Sequence, residues 1–256
     1  MSKTEWWAVP ERRPNADIRL FAFPYAGGSA GSFRPWARRL SPRIELSVFQ
    51  MPGREERYHE PMLLSMDQVV PQASNSILQR ADRPYVLFGH SVGALMAYEV
   101  ARHFMAQGLR LPLHLIVGGK RAPHVPIDRK PMHELSDREL IDRLHQFGGT
   151  PKAVLETPEL LELFLPRLRA DFQINETYRY RAGPGLAVPT TVLGGMEDSE
   201  TSQQTLQAWQ QHAAAGFQLR MYQGGHFFIH QNEDRVLADI QGIVLNAAQS
   251  ALAGAA

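Results

Sequence analysis

Apolar residues fall along this chain in short runs, separated by stretches in which they recur at helical spacing. Ile18 to Phe23 and Ile44 to Phe49 are rich in strand formers; Pro24 ends the first and a charged loop, Met51 to Arg57, follows the second. Tyr85 to Phe88, Leu113 to Val117, Val188 to Leu193 and Phe217 to Tyr222 are the other runs too short for a helix. Between them, Ser32 to Leu40 places Phe33, Trp36, Ala37 and Leu40 on one helical face. Met66 to Leu78 predicts a helix with Pro71 in its first turn, and the residues from Ala94 onward favour helix. Thr201 to Ala213 and Leu237 to Leu245 complete the helices, while Met1 to Asp17 shows no element and Ala247 to Ala256 is expected to fray. Strands alternating with helices predict an α/β fold: a mostly parallel central sheet flanked by helices.

One interval breaks the alternation. From Lys120 to about Arg181 there is no strand-like run; Pro123, Pro126 and Pro131 make a linker, and Ser136 opens a helix with Asp137 and Glu139 in its first turn. Pro158 to Tyr180 is a second helical pattern in which Leu160, Leu161, Leu163, Phe164, Leu165, Leu168, Phe172 and Ile174 cover more than one face, with a kink expected at Pro166. Helices so apolar should bury two sides. They are expected to form a lid inserted, at about 120–181, into a single domain spanning 1–256.

The chemistry centres on Gly89-His90-Ser91-Val92-Gly93, which follows the Tyr85 strand and opens a helix. A residue at so sharp a strand-to-helix turn takes a strained conformation, tolerable where the flanking glycines have no Cβ. Ser91 is thereby held at a helix N-terminus, where positive partial charge favours an oxyanion and suits an acyl-transfer nucleophile. Its hydroxyl needs a base, and of ten histidines His226 lies in a loop just after a late strand, where a parallel sheet gathers its functional loops. His90 should turn away from Ser91. Asp198, after the Val188 strand, is the candidate orienting acid, with Glu197 its near rival and Asp142 and Asp171 the alternatives on the lid helices. The order Ser91, Asp198, His226 is that of α/β-hydrolases.

Composition narrows the field. With 27 Lys and Arg against 26 Asp and Glu, the net charge of +1 gives no electrostatic case for a nucleic-acid partner or a polybasic membrane anchor. There is no cysteine, which excludes disulfides and a thiol nucleophile and fits a reducing compartment. With no apolar leader in Met1 to Asp17 and no run of apolar residues long enough for a span, a cytoplasmic protein without a membrane partner is expected. His133-Glu134 begins like a zinc helix, but Asp137 stands where the second histidine belongs, so no metal is expected. The glycines between 27 and 31 lack dinucleotide spacing, and no cofactor is expected.

Taken together, Phe23-Pro24-Tyr25-Ala26-Gly27-Gly28-Ser29, Pro52-Gly53-Arg54-Glu55 with Arg57, the Ser91 turn, Leu165-Pro166 through Arg169-Ala170-Asp171-Phe172, Gly194-Gly195 with Asp198, and Gly225-His226-Phe227-Phe228 resemble the stand-alone type II thioesterases that accompany non-ribosomal peptide and polyketide synthases. Val92 departs from the methionine often found there. The resemblance implies a serine thioesterase that clears stalled or misprimed acyl groups from the phosphopantetheine arm of carrier proteins. It also implies oxyanion N–H groups from Ala26 and Val92. A general carboxylesterase or lipase, or a non-catalytic carrier-binding module, are the competing functions. A carrier protein would dock at the rim, with Lys120, Arg121, Arg129 and Lys130 as candidates to meet it, and a monomer is expected.

Overall fold

Six apolar runs become six parallel neighbours in one sheet, because strands buried on both faces need no polar alternation. The structure, a computed structural model, describes residues 5–253. Its strands are β1 (Trp7–Ala8), β2 (Ile18–Phe23), β3 (Ile44–Phe49), β4 (Tyr85–His90), β5 (Leu115–Gly118), β6 (Thr190–Gly195) and β7 (Phe217–Tyr222). They lie in the order β1-β3-β2-β4-β5-β6-β7, parallel throughout except for β1, which runs antiparallel to β3 at the edge.

Helices cover both faces. α1 (Arg34–Arg39) lies on the face that takes Leu20, Ala22, Val86 and Phe88, whereas α2 (Met66–Leu78) and α3 (Val92–Ala106) lie on the other, with Phe21, Phe23 and Leu87. Successive side chains of one strand thus feed two separate cores. Ser65 caps α2, its side chain accepting the Gln68 N–H. Pro71 sits in the second turn of that helix rather than the first, so the bond to the carbonyl one turn back is forfeited.

Between β5 and β6 come α4 (Asp137–Phe147), α5 (Lys152–Leu155) and α6 (Pro158–Glu176). Ser136 and Glu139 form a reciprocal capping box on α4, and Gly148, at φ 70°, ends it. These helices enclose a small core of their own, built on Met132, Leu140, Leu144, Leu165 and Leu168. α6 runs unbroken through Pro166. It does not bury all its apolar residues: Ile174 joins the main core and Leu165 and Leu168 the smaller one, but Leu160 and Leu163 are exposed.

The remaining helices are α7 (Gln203–Gln207), α8 (Phe228–Gln231) and α9 (Glu233–Ala253). α9 starts before Leu237 and continues through Ala253, so the fraying expected from Ala247 is corrected; Ala256 and its two predecessors lie outside the described residues. Alanine is the strongest helix former, and Ala248 is buried against the body. By length and composition α9 would also suit a membrane, but Val236, Leu237, Ile240 and Val244 are buried in the core beneath the sheet. The N-terminal stretch supplies β1, whose Trp7 stacks edge-on against Phe21 and Phe23 and donates its indole N–H to Ser76 Oγ (2.8 Å).

Candidate active site

A parallel sheet brings the C-terminal ends of its strands to one edge, and β4, β6 and β7 are each followed there by one of the three candidate catalytic residues. Ser91 follows β4 with φ 57° and ψ −123°. That strain is held by close backbone packing: a Cβ on Gly89 would lie 2.1 Å from the Gly93 carbonyl oxygen, and one on Gly93 2.1 Å from that of Phe23. The Ser91 N–H donates to the Gly118 carbonyl of β5 (2.8 Å), which fixes the turn from the other side.

His226 Nε2 lies 3.0 Å from Ser91 Oγ, and its Nδ1 lies 2.9 Å from Asp198 Oδ2. The three residues predicted from separate parts of the chain therefore form one hydrogen-bonded line. Burial of Asp198 opposes its ionisation, but hydrogen bonds from His226, from the Thr201 hydroxyl (2.7 Å) and from the Glu200 N–H (2.8 Å) outweigh it and hold the carboxyl below its ordinary range. Glu197 and Asp142 are exposed, and the Nδ1 partner of the imidazole is Asp198. Asp171 is buried, but its carboxylate is bound to Arg54.

His90 turns away from Ser91 as expected and has a task of its own. Fully buried, it is held neutral mainly by desolvation, and its Nε2–H donates to the His226 carbonyl (2.9 Å), tying the histidine loop to the serine turn. Sequence reasoning sets His90 aside as the base without finding its tie to the His226 carbonyl, and it does not single out Thr201, although each lies within a few residues of a predicted group. Ala26 lies in the loop after β2 and Val92 opens α3; among the described residues, no acceptor takes the N–H of either.

Ser91 and His226 open on a cavity of about 340 Å³. Most of its apolar wall, Leu144, Phe147, Val154, Phe164, Leu168 and Phe172, comes from the helical insertion, and Tyr25, Ala26 and Phe227 of the body complete it. The insertion comes close to the imidazole: the Phe147 ring is 6.0 Å from that of His226, and a Cβ on Gly149 would fall 1.9 Å from the Phe227 ring. Of the four rim cations, Lys120, Arg121 and Arg129 line the cavity and are engaged within the protein. Lys120 is buried in the cavity wall and donates to Asn175 Oδ1; Arg129 is paired with Glu176 (2.9 Å) and Glu200 (3.3 Å), and Arg121 donates to the Pro126 (2.8 Å) and Glu200 (2.6 Å) carbonyls. Only Lys130 of the four is exposed, beside Glu139. Among the described residues no cluster of His, Asp and Glu suits a metal ion.

A strained serine at the end of the central strand, with its histidine and carboxylate on later loops of a mostly parallel sheet, defines an α/β-hydrolase. The thioesterase domain family matches residues 18–244, and the chain belongs to that family. It is 36% identical to "Thioesterase PikA5" of Streptomyces venezuelae over 91% of this chain and 83% of that one. It is 36% identical to "Linear gramicidin dehydrogenase LgrE" of Brevibacillus parabrevis over 94% and 93%. The glycine loop of the present chain does not carry the dinucleotide spacing that name would call for. Among solved structures, the type II thioesterase BorB from the borrelidin biosynthetic cluster superposes with a TM-score of 0.85 at 35% identity, covering 95% of this chain and 97% of BorB.

Proposed function

We propose that the protein is an editing thioesterase of non-ribosomal peptide or polyketide synthesis, releasing stalled or misprimed acyl groups from carrier-protein phosphopantetheine through an acyl-serine intermediate. The observation that carries this is the Ser91–His226–Asp198 line at the mouth of a cavity walled by the insertion. In this reading His226 takes the Ser91 proton as Oγ attacks the thioester carbonyl, and Asp198 steadies the imidazolium. The Ala26 and Val92 N–H groups receive the developing oxyanion. Collapse of the tetrahedral intermediate breaks the C–S bond; the arm departs as a thiolate, an easier leaving group than an amine, and takes the proton from His226. Water, deprotonated by the same imidazole, then hydrolyses the acyl-serine. A cavity of about 340 Å³ is small for a ligand site and suits a short acyl group. The insertion acts as the lid of a single-domain, monomeric, cytoplasmic enzyme, and the carrier protein docks outside it with its arm threaded to Ser91.

The test compares an acyl-carrier thioester with the matching oxygen ester, using wild type and Ser91→Ala. The expected outcome is preference for the thioester and loss of turnover in the variant. A clear preference for the oxygen ester would make the protein a general esterase, and a biological effect that survives Ser91→Ala would make it a carrier-binding module.

A further inference from the structure

The proposed oxyanion donor Ala26 sits in a turn, Tyr25 to Gly28, closed by the Gly28 N–H donating to the Tyr25 carbonyl (2.8 Å). Gly27, at φ +74°, occupies the third position, where a left-handed residue is required. Nothing in the turn itself fixes the plane of its central peptide. That is done from outside: the Gly27 N–H donates to Asp171 Oδ2 (2.8 Å), on α6 of the insertion. The same carboxylate receives both arms of the Arg54 guanidinium, Nη2 to Oδ1 (2.8 Å) and Nη1 to Oδ2 (2.9 Å), and Nη1 also donates to the Gly28 carbonyl (2.9 Å). Both side chains are almost wholly buried, at 8% and 3% exposure, so the pair is not a solvated surface bridge. A second contact joins the same partners. A Cβ on Gly27 would meet the Phe164 ring at 2.7 Å and Leu168 at 3.1 Å, both on α6, so the turn lies directly against that helix.

We infer that Arg54 and Asp171 are positioning residues for the Ala26 N–H, setting the oxyanion turn only while α6 is docked on the body. Two sequence motifs far apart in the chain, one after β3 and one in the insertion, thereby converge on a backbone that no side chain of its own could hold. A buried fork of two parallel hydrogen bonds has the directionality this needs. The consequence is a coupling between closure and chemistry: when the insertion lifts, the Gly27 N–H and the Gly28 carbonyl lose their partners and the donor loses its aim.

This inference rests on the triad reading above, and the experiment separates the two. Steady-state hydrolysis of a short acyl N-acetylcysteamine thioester, and inhibition by an alkyl boronic acid that forms a tetrahedral adduct on serine, are measured for wild type, Asp171→Asn, Arg54→Lys, Arg169→Ala and Ser91→Ala. Asp171→Asn is expected to lower kcat by about 10²-fold, the scale of one lost oxyanion donor. KM should stay within roughly threefold, since the lost interaction belongs to the transition state. The boronate Ki should rise in proportion to the loss in kcat, because the adduct mimics that state. Arg54→Lys, which keeps the charge but not the fork, should fall the same way, and it decides the matter if Asp171→Asn does not fold. Arg169→Ala removes ties of α6 to Asp137 and to the His133 carbonyl (3.1 Å) and should leave the boronate Ki unchanged. Wild-type kcat and Ki in both pair variants, or a loss matching that of Arg169→Ala with Ki unmoved, would overturn the inference. Activity retained in Ser91→Ala would instead overturn the triad reading.

Discussion

At the scale of single residues, the site separates into groups that bear charge and groups that hold them still. Asp198 belongs to both: it accepts from His226, and Thr201 and the Glu200 N–H fix its rotamer. With the amide in place of the carboxylate, the imidazole would meet an NH₂ or a weaker acceptor at Nδ1 and lose the tautomer that leaves Nε2 free for Ser91. Asp198→Asn is therefore expected to lower kcat by about 10⁴-fold, as for triad acids elsewhere, with circular dichroism unchanged. A near-normal rate would transfer the role to Glu197, which the structure leaves exposed. Ser91, Asp198 and His226 could be named from sequence because each follows an apolar run within five residues. The contributions of His90 and Thr201 could not, since nothing in a lone histidine or threonine says which carbonyl or carboxylate it will meet.

At the scale of elements, the insertion is where prediction and structure diverge most. Its helices and the Ser136 cap were legible in apolar spacing and capping residues, but their exposure was not: Leu160 and Leu163 face outward although the pattern suggested burial on two sides. Lys120 reversed in the other sense, a charge that the sequence places on a rim and the fold places in a wall. In the loop after α4, contact with the active site includes a residue without a side chain. Gly149 rests on the Phe227 ring with no space for a Cβ, so Gly149→Val should hold the loop after α4 away from the site. The expected outcome is a KM raised by roughly tenfold, about 1.4 kcal/mol of binding. Thermal unfolding should scarcely move, because such loops belong to the least stable part of a fold. An unchanged KM would mean that the loop does not take part in substrate enclosure. The edge strand β1 escaped prediction for a simpler reason: two residues cannot show a period.

At the scale of the whole molecule, burial of Lys120 ties stability to pH. Burial, followed by repulsion from Arg121 and Arg129, brings its ammonium down to about 7 from an ordinary 10.5, against the attraction of Glu200 and Glu176. Below pH 7 both folded and unfolded chains carry the charge, and the folded one bears its full desolvation cost. Between pH 7 and 10.5 the unfolded chain binds the extra proton, so stability rises with pH. Lys120→Met should thus raise Tm near pH 6, by an amount equivalent to at most a few kcal/mol. The gain should shrink as pH approaches 10, and a pH-independent gain in thermal scans would show that the lysine is not charged at a cost.

What the sequence determined alone was local: which runs are strands, which turn strains a serine, and which loops follow strand ends, because backbone sterics and side-chain periodicity act over a few residues. The tertiary structure decided everything that depends on two distant segments meeting. It set the 3.0 Å approach of His226 to Ser91, the seat of Asp171 beneath the Gly27 N–H, and the burial of Lys120. Those distances follow from how the parallel strands register and how α6 lies on the body, and no spacing along the chain encodes them.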